Sequence, residues 1–85
     1  MATIRELFHG LGNDLNLITV GSGVTRELVE ECLEEAIPPR AKEKLIEIVK
    51  TLNNIIKDAK EADKKTRDIH DRVYKIIDPD TGKPL

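Results

Sequence analysis

With 85 residues and a formal charge of −2, the chain has room for one small domain and carries no global pull toward nucleic acid or an anionic membrane. Aromatic residues make up 2% and charged residues 35%, a balance that excludes an aromatic-rich β-sandwich or barrel and suits long helices. One cysteine excludes an internal disulfide and no Cys/His cluster has zinc spacing, so association with a partner is the staple left to so short a chain.

Thr3-Ile4-Arg5-Glu6 has the form of a capping box and predicts a first helix over about residues 3–36. Along it Ile4, Phe8, Leu11, Leu15, Ile18, Ser22, Thr25, Val29, Cys32 and Ala36 recur at alternating steps of four and three, the seam of a helical bundle. Cys32 is read there as a core residue. Gly21-Ser22-Gly23 predicts a bend or a break, since each glycine costs about 1 kcal/mol relative to alanine.

Ile37-Pro38-Pro39 ends the first helix and forms a hinge at 37–39. A second helix over about 39–77 carries the seam Leu45, Ile48, Leu52, Ile55, Ala59, Ala62, Thr66, Ile69, Val73 and Ile76. A second row, Val49, Ile56, Asp63, His70 and Ile77, flanks it. Asp78-Pro79 stops the helix, and 78–85 reads as a turn or a loose tail. Five glutamates from Glu27 to Glu35 crowd the end of the first helix, with Arg40, Lys42 and Lys44 across the hinge to offset them. The expected fold is a single all-α domain, a long antiparallel helical hairpin. Two helices leave half of each wide apolar stripe wet, so a homodimer forming a four-helix bundle is expected.

On a helical wheel His9, Asn13 and Asn16 fall almost opposite the first seam, with His9 directed to solvent and an amide one turn away. Beside them lie Leu17, Val20, Gly21, Val24 and Leu28, apolar or small residues that the seam does not use. The string Phe8-His9-Gly10-Leu11-Gly12-Asn13-Asp14-Leu15-Asn16-Leu17-Ile18 resembles the phospho-accepting segment of the dimerisation and histidine-phosphotransfer domain of sensor histidine kinases. It is more similar still to the sporulation-type phosphotransferase family, which has a His, an Asn four residues on, and then Leu-x-Leu-Ile. The likeness extends over residues 3–77 as a long first helix with the His near its start, a hinge and a long second helix.

That resemblance implies that His9 accepts and donates a phosphoryl group with the receiver domain of a response regulator, with Asn13 orienting the reacting groups. Gly10, Gly12, Asn16, Leu17, Val20 and Lys64 are the expected partner-binding residues; Lys57, Lys60 and Lys65 belong to the same cationic run. The departures matter. Gly10 replaces the acidic residue that follows the His in kinases, Asp14 replaces a common proline, and no phosphate-cradling motif is present. Phosphorylation from ATP is therefore not expected, and no cofactor is implied, because Mg²⁺ would be carried by the receiver.

Two other readings stay open: a non-catalytic homodimeric helical scaffold with an incidental His9, and the phosphotransfer fragment of a kinase lacking its ATP-binding domain. His70 is read as a boundary residue rather than a second acceptor, and Asp68, His70 and Asp71 as charged surface rather than a metal site. No apolar run approaches the ~18 residues of a membrane span, and the N-terminus lacks a signal-peptide core. A cytoplasmic location with neither nucleic-acid nor membrane partner is expected.

Overall fold

A computed structural model describes residues 2–85. It consists of two helices, α1 (Ile4–Leu33) and α2 (Pro39–Tyr74), folded back on each other as an antiparallel hairpin 62 Å long. Thr3 caps α1, its hydroxyl accepting from the Glu6 N–H at 3.1 Å. Pro38 and Pro39 open α2, where a missing N–H costs nothing because the first helical donors have no partner within the helix. No residue of the chain's described backbone other than Gly82 has a positive φ.

Helix α1 ends at Leu33, three residues short of the expected Ala36. Its last turn contains no basic residue, so Glu30, Glu31 and Glu34 face the negative end of the helix dipole. Among the described residues the glutamate cluster has one ion pair, a long one between Arg26 and Glu30 at 3.9 Å, and none with Arg40, Lys42 or Lys44. The helix runs unbroken through Gly21-Ser22-Gly23. Ordinary helical backbone suffices there, and a methyl group at Gly21 or Gly23 would meet open space.

The contact between the helices keeps one row of each expected seam (Ile4, Phe8, Leu15, Ser22 and Val29 on α1; Leu45, Leu52, Ala59, Thr66 and Val73 on α2) and is rotated off the other. On α1 the half-covered residues are Ile4, Phe8, Gly10, Gly12, Leu15, Thr19, Ser22, Gly23, Arg26, Val29 and Leu33, while Leu11, Ile18, Thr25 and Cys32 are exposed. On α2 the row expected as a flank faces inward: Val49, Asp63 and His70 are half-covered, and Ile56 is buried together with Ala59. Ile48, Ile55, Ile69 and Ile76 stand in solvent. Cys32 is thus a surface residue of the hairpin, not a core one. Small residues of α1 (Gly12, Thr19, Ser22 and Gly23) lie on the half-covered side, with space for a Cβ still open at Gly12 and Gly23. The hydroxyls of Thr19 and Thr66 bond back to the carbonyls of Leu15 and Ala62, at 3.0 and 2.7 Å, and so enter the contact already satisfied.

The last residues are not a loose tail. The side chain of Asp78 accepts from the N–H groups of Asp80 and Thr81, and Gly82, at φ 73°, supplies the left-handed step that turns the chain back. Pro84 then pairs with Ile77 in an antiparallel bridge, and Leu85 donates to the Ile76 carbonyl. The turn lies across the start of α1: the Pro79 carbonyl accepts from the Arg5 N–H at 3.1 Å, and Asp80 holds the Arg5 guanidinium through Nε at 2.9 Å. Hydrogen bonding to Asp80, reinforced by its charge, holds the Arg5 pKa above its ordinary value.

Three outcomes follow. Gly21→Ala should raise stability by about 0.5–1 kcal/mol in thermal melts, because the backbone is already helical and nothing occupies the space. Removing residues 78–85 should speed amide exchange at Arg5 markedly, since its N–H loses the Pro79 acceptor. Asp80→Ala should cost less than the truncation, because an exposed ion pair adds little.

Candidate functional site at the open end of the hairpin

Both histidines stand at the end of the hairpin away from the hinge. His9 lies on the solvent side of α1, exposed, with Asn13 and Asn16 exposed one and two turns further on. The wheel places these three residues together because their spacing of four and three residues keeps them on one strip. Among the described residues the His9 imidazole has no hydrogen bond or ion pair; the histidine contacts of that kind belong to His70.

His70, on α2, is held quite differently. Its ring lies 3.8 Å from that of Tyr74 and meets the edge of Phe8 at 5.3 Å, while Phe8 meets Tyr74 at 6.0 Å. The Arg5 guanidinium sits 5.5 Å from the centre of the Tyr74 ring. The Nδ1 of His70 is 3.1 Å from the Asp71 carboxylate. A half-covered ring packed among aromatic neighbours is a boundary residue, as its place on the flank of α2 suggested.

Between the helices an open groove of about 650 Å³ joins these groups. One wall is His9, Gly12, Asn13 and Asn16; the other is Lys60, Asp63, Arg67, His70 and Asp71. Arg67 reaches back to Asp63 at 3.1 Å, and Asp63 is the more covered of the two. Lys60 has no ion-pair partner among the described residues and faces the groove from one turn below Asp63. A shallower depression on the other side of His9 is lined by Arg5, Glu6, Gly10 and Tyr74.

The expected site residues are therefore divided. His9, Gly12, Asn13 and Asn16 share the groove, Gly10 borders the depression beside it, and Leu17 and Val20 are exposed further along α1. Lys64 is exposed on α2 but does not line the groove; Lys60 and Arg67 are the cations that do. Sequence reasoning treated Lys60 as one of a run and passed over Arg67. Their spacing of seven residues, two helical turns, was the available signal that they share a strip. The groups present are an unpartnered imidazole, side-chain amides, two cations and two carboxylates, and with Arg67 paired to Asp63 the cation left to meet an anionic group beside the ring is Lys60. Three or more His, Cys, Asp or Glu side chains do not converge anywhere among the described residues.

Phe8→Ala should shift the NMR signals of the His70 ring strongly and those of His9 weakly, because only His70 packs on that ring. Equal shifts at both would show that the two imidazoles share one packed environment.

Comparison with known protein families, with curated proteins and with solved structures finds no match to this chain, so the reading of the groove rests on its own residues.

Proposed function

We propose that this chain is a homodimeric histidine phosphotransfer module, with His9 as the phosphoryl carrier between receiver domains of response regulators. The observation that supports it is the setting of His9: an exposed ring, free of internal partners, at a groove whose far wall carries Lys60 beside the Arg67–Asp63 pair and Asp71. A carrier must reach a phosphoryl group held on another protein. An imidazole tied into the bundle could not do so.

In the proposed step the unprotonated ring nitrogen of His9 attacks the phosphorus of an aspartyl phosphate. The acyl phosphate P–O bond breaks, the carboxylate of the receiver leaves with the electron pair, and the proton on the other ring nitrogen stays in place. Reversal returns the group to an aspartate. Mg²⁺ belongs to the receiver in this scheme. In the same scheme Asn13, one turn from His9, hydrogen-bonds the transferred oxygens, and Lys60, the groove cation without an ion-pair partner among the described residues, offsets their charge. Leu17 and Val20, 68% and 54% exposed, provide an apolar landing strip beyond the groove.

A second reading, a homodimeric scaffold, draws on a different observation: the isoleucines left exposed on α2 call for a cover whether or not His9 reacts. One experiment separates the two. Receiver domains phosphorylated with acetyl phosphate are incubated with the purified chain and the adduct is mapped. Phosphotransfer predicts an acid-labile, alkali-stable adduct on His9, abolished by His9→Gln with the melting temperature nearly unchanged, and retained in His70→Gln. Asn13→Ala should change the transfer or hydrolysis rate more than stability. No adduct with any receiver of the host would leave the scaffold.

A further inference from the structure

The turn that follows α2 fixes both the backbone and the side chain of Arg5. It closes through its own bonds: Asp78 accepts from the N–H groups of Asp80 and Thr81, and Ile77 pairs with Pro84. Asp80 is therefore presented from a settled frame. The Pro79 carbonyl accepts from the Arg5 N–H at 3.1 Å, and the Asp80 carboxylate accepts from Nε at 2.9 Å and Nη2 at 3.4 Å. The guanidinium carbon lies 5.5 Å from the centre of the Tyr74 ring. Tail and α2 together hold one side chain of α1.

A guanidinium carries five N–H donors, and each edge of its fork can meet two oxygens of one anion. Asp80 occupies the edge formed by Nε and Nη2. The edge formed by Nη1 and the second hydrogen of Nη2 has no acceptor among the described residues, and the side chain is 56% exposed, so that edge is open to a ligand. Arg5 also precedes His9 by four residues. The two lie about 6 Å apart along the helix axis and about 40° apart round it. Both line the depression of about 630 Å³ on that side of His9. Glu6 lines it as well, from the opposite flank of the histidine, about 60° round the helix.

We infer that Arg5 is an anion-binding residue for His9: the free edge of its guanidinium holds oxygens of a phosphoryl group carried on the ring, and Asp80 is the positioning residue that aims it. The inference rests on the reading of His9 as the phosphoryl acceptor; it makes no use of a receiver or of a second copy. Arg5 supplies what the groove is short of. There Arg67 is paired with Asp63, Asp71 adds a second carboxylate, and Lys60 is left as the cation without a partner among the described residues. Because Arg5 and His9 belong to one helix, their separation does not depend on how the two helices align. A lysine at position 5 has no second edge, so it could serve Asp80 or the phosphoryl group in this way but not both.

The test uses the full chain and potassium phosphoramidate, a small donor that needs no receiver. The unprotonated ring nitrogen of His9 attacks phosphorus, the P–N bond of the donor breaks, and ammonia leaves with the electron pair and the protons its nitrogen already carried. The rate of phosphohistidine formation at His9 should fall about three- to ten-fold in Arg5→Gln. The fold should stand, because the variant keeps the N–H that meets Pro79. Arg72→Gln removes the same charge from a cation paired with Asp68 on the exposed side of α2, and should leave the rate unchanged. An equal loss in both variants, or none in Arg5→Gln, overturns the inference. Asp80→Ala should lower the rate by less than Arg5→Gln does; a rate at or above the native one means that Asp80 competes for the guanidinium, and overturns its positioning role. In NMR spectra of the phosphorylated chain the Arg5 Nη signals should shift while the Nε signal holds. The reverse pattern would mean that the phosphoryl group had displaced Asp80, and overturns the use of two edges. Labelling that depends on Arg5, without transfer to any receiver, supports the anion site and removes the phosphotransfer reading. Transfer to receivers with no dependence on Arg5 removes the anion site alone.

Discussion

Two cylinders side by side touch along one line, and the organisation of this protein follows from that limit. Each helix of the hairpin has apolar residues on more than one strip, yet each offers only one strip to its neighbour. The strip that wins on α1 combines Phe8, Leu15, Val29 and Leu33 with the small residues Gly12, Thr19, Ser22 and Gly23, and room for a Cβ remains at Gly12 and Gly23. The strips that lose keep their leucines and isoleucines in water, and among the described residues only Ile56 and Ala59 are buried, neither of them completely. Hydrophobic burial is the dominant favourable term in folding. A hairpin with so little of it is held by its small-residue contact, by the aromatic cluster at one end and by the returning tail.

Much of this was legible in the residues. The capping threonine, the proline hinge and the three-four periodicity located both helices, and the spacing of His9, Asn13 and Asn16 placed them on the solvent side of α1. The line of contact was legible only in part, since the expected seam held two rows on each helix and one of them lies in the contact. Leu11-Ile18-Thr25-Cys32 and Phe8-Leu15-Ser22-Val29 both repeat every seven residues, so periodicity alone ranks neither as the inner one. Choosing between them requires the complementary shapes of the partner helix, a tertiary property. The same holds for α2, where the isoleucines at 48, 55, 69 and 76 outrank Asp63 and His70 by hydropathy, yet lie further out. His70 is drawn in by Phe8 and Tyr74, a contact that bridges the two helices and has no local trace in the sequence. The turn after Asp78-Pro79 was legible and closes through its own bonds, whereas its docking on the N–H of Arg5, distant in sequence, was not.

The two ends of the hairpin differ in stiffness and charge. The chain's one phenylalanine and one tyrosine both lie at the end that carries the histidines. There the rings, the Arg5–Asp80 pair and the bridge between Ile77 and Pro84 tie both helices and the tail together. At the hinge end the glutamates of α1 face the wrong end of their own helix dipole with little ionic compensation. Packing that fixes Phe8 also fixes the backbone of its neighbour His9, while the imidazole itself stays free. A rigid base under a free side chain is the arrangement that lets a ring be presented in a defined direction.

The tail clasp bears on the order in which the molecule assembles. Arg5 and Asp80 are 75 positions apart, whereas contacts beside the hinge join residues close in sequence. Closing a long loop from a disordered chain is entropically slower than closing a short one, and a contact of this span becomes accessible only when the helices between have already zippered. Growth from the hinge toward the termini brings His9 and His70 to one level near the end of the process, and the clasp closes after them. A chain whose helices had slipped by one turn would leave Arg5 about 5 Å from its partners. The tail therefore acts as a check on register, completing only on the alignment that also completes the groove.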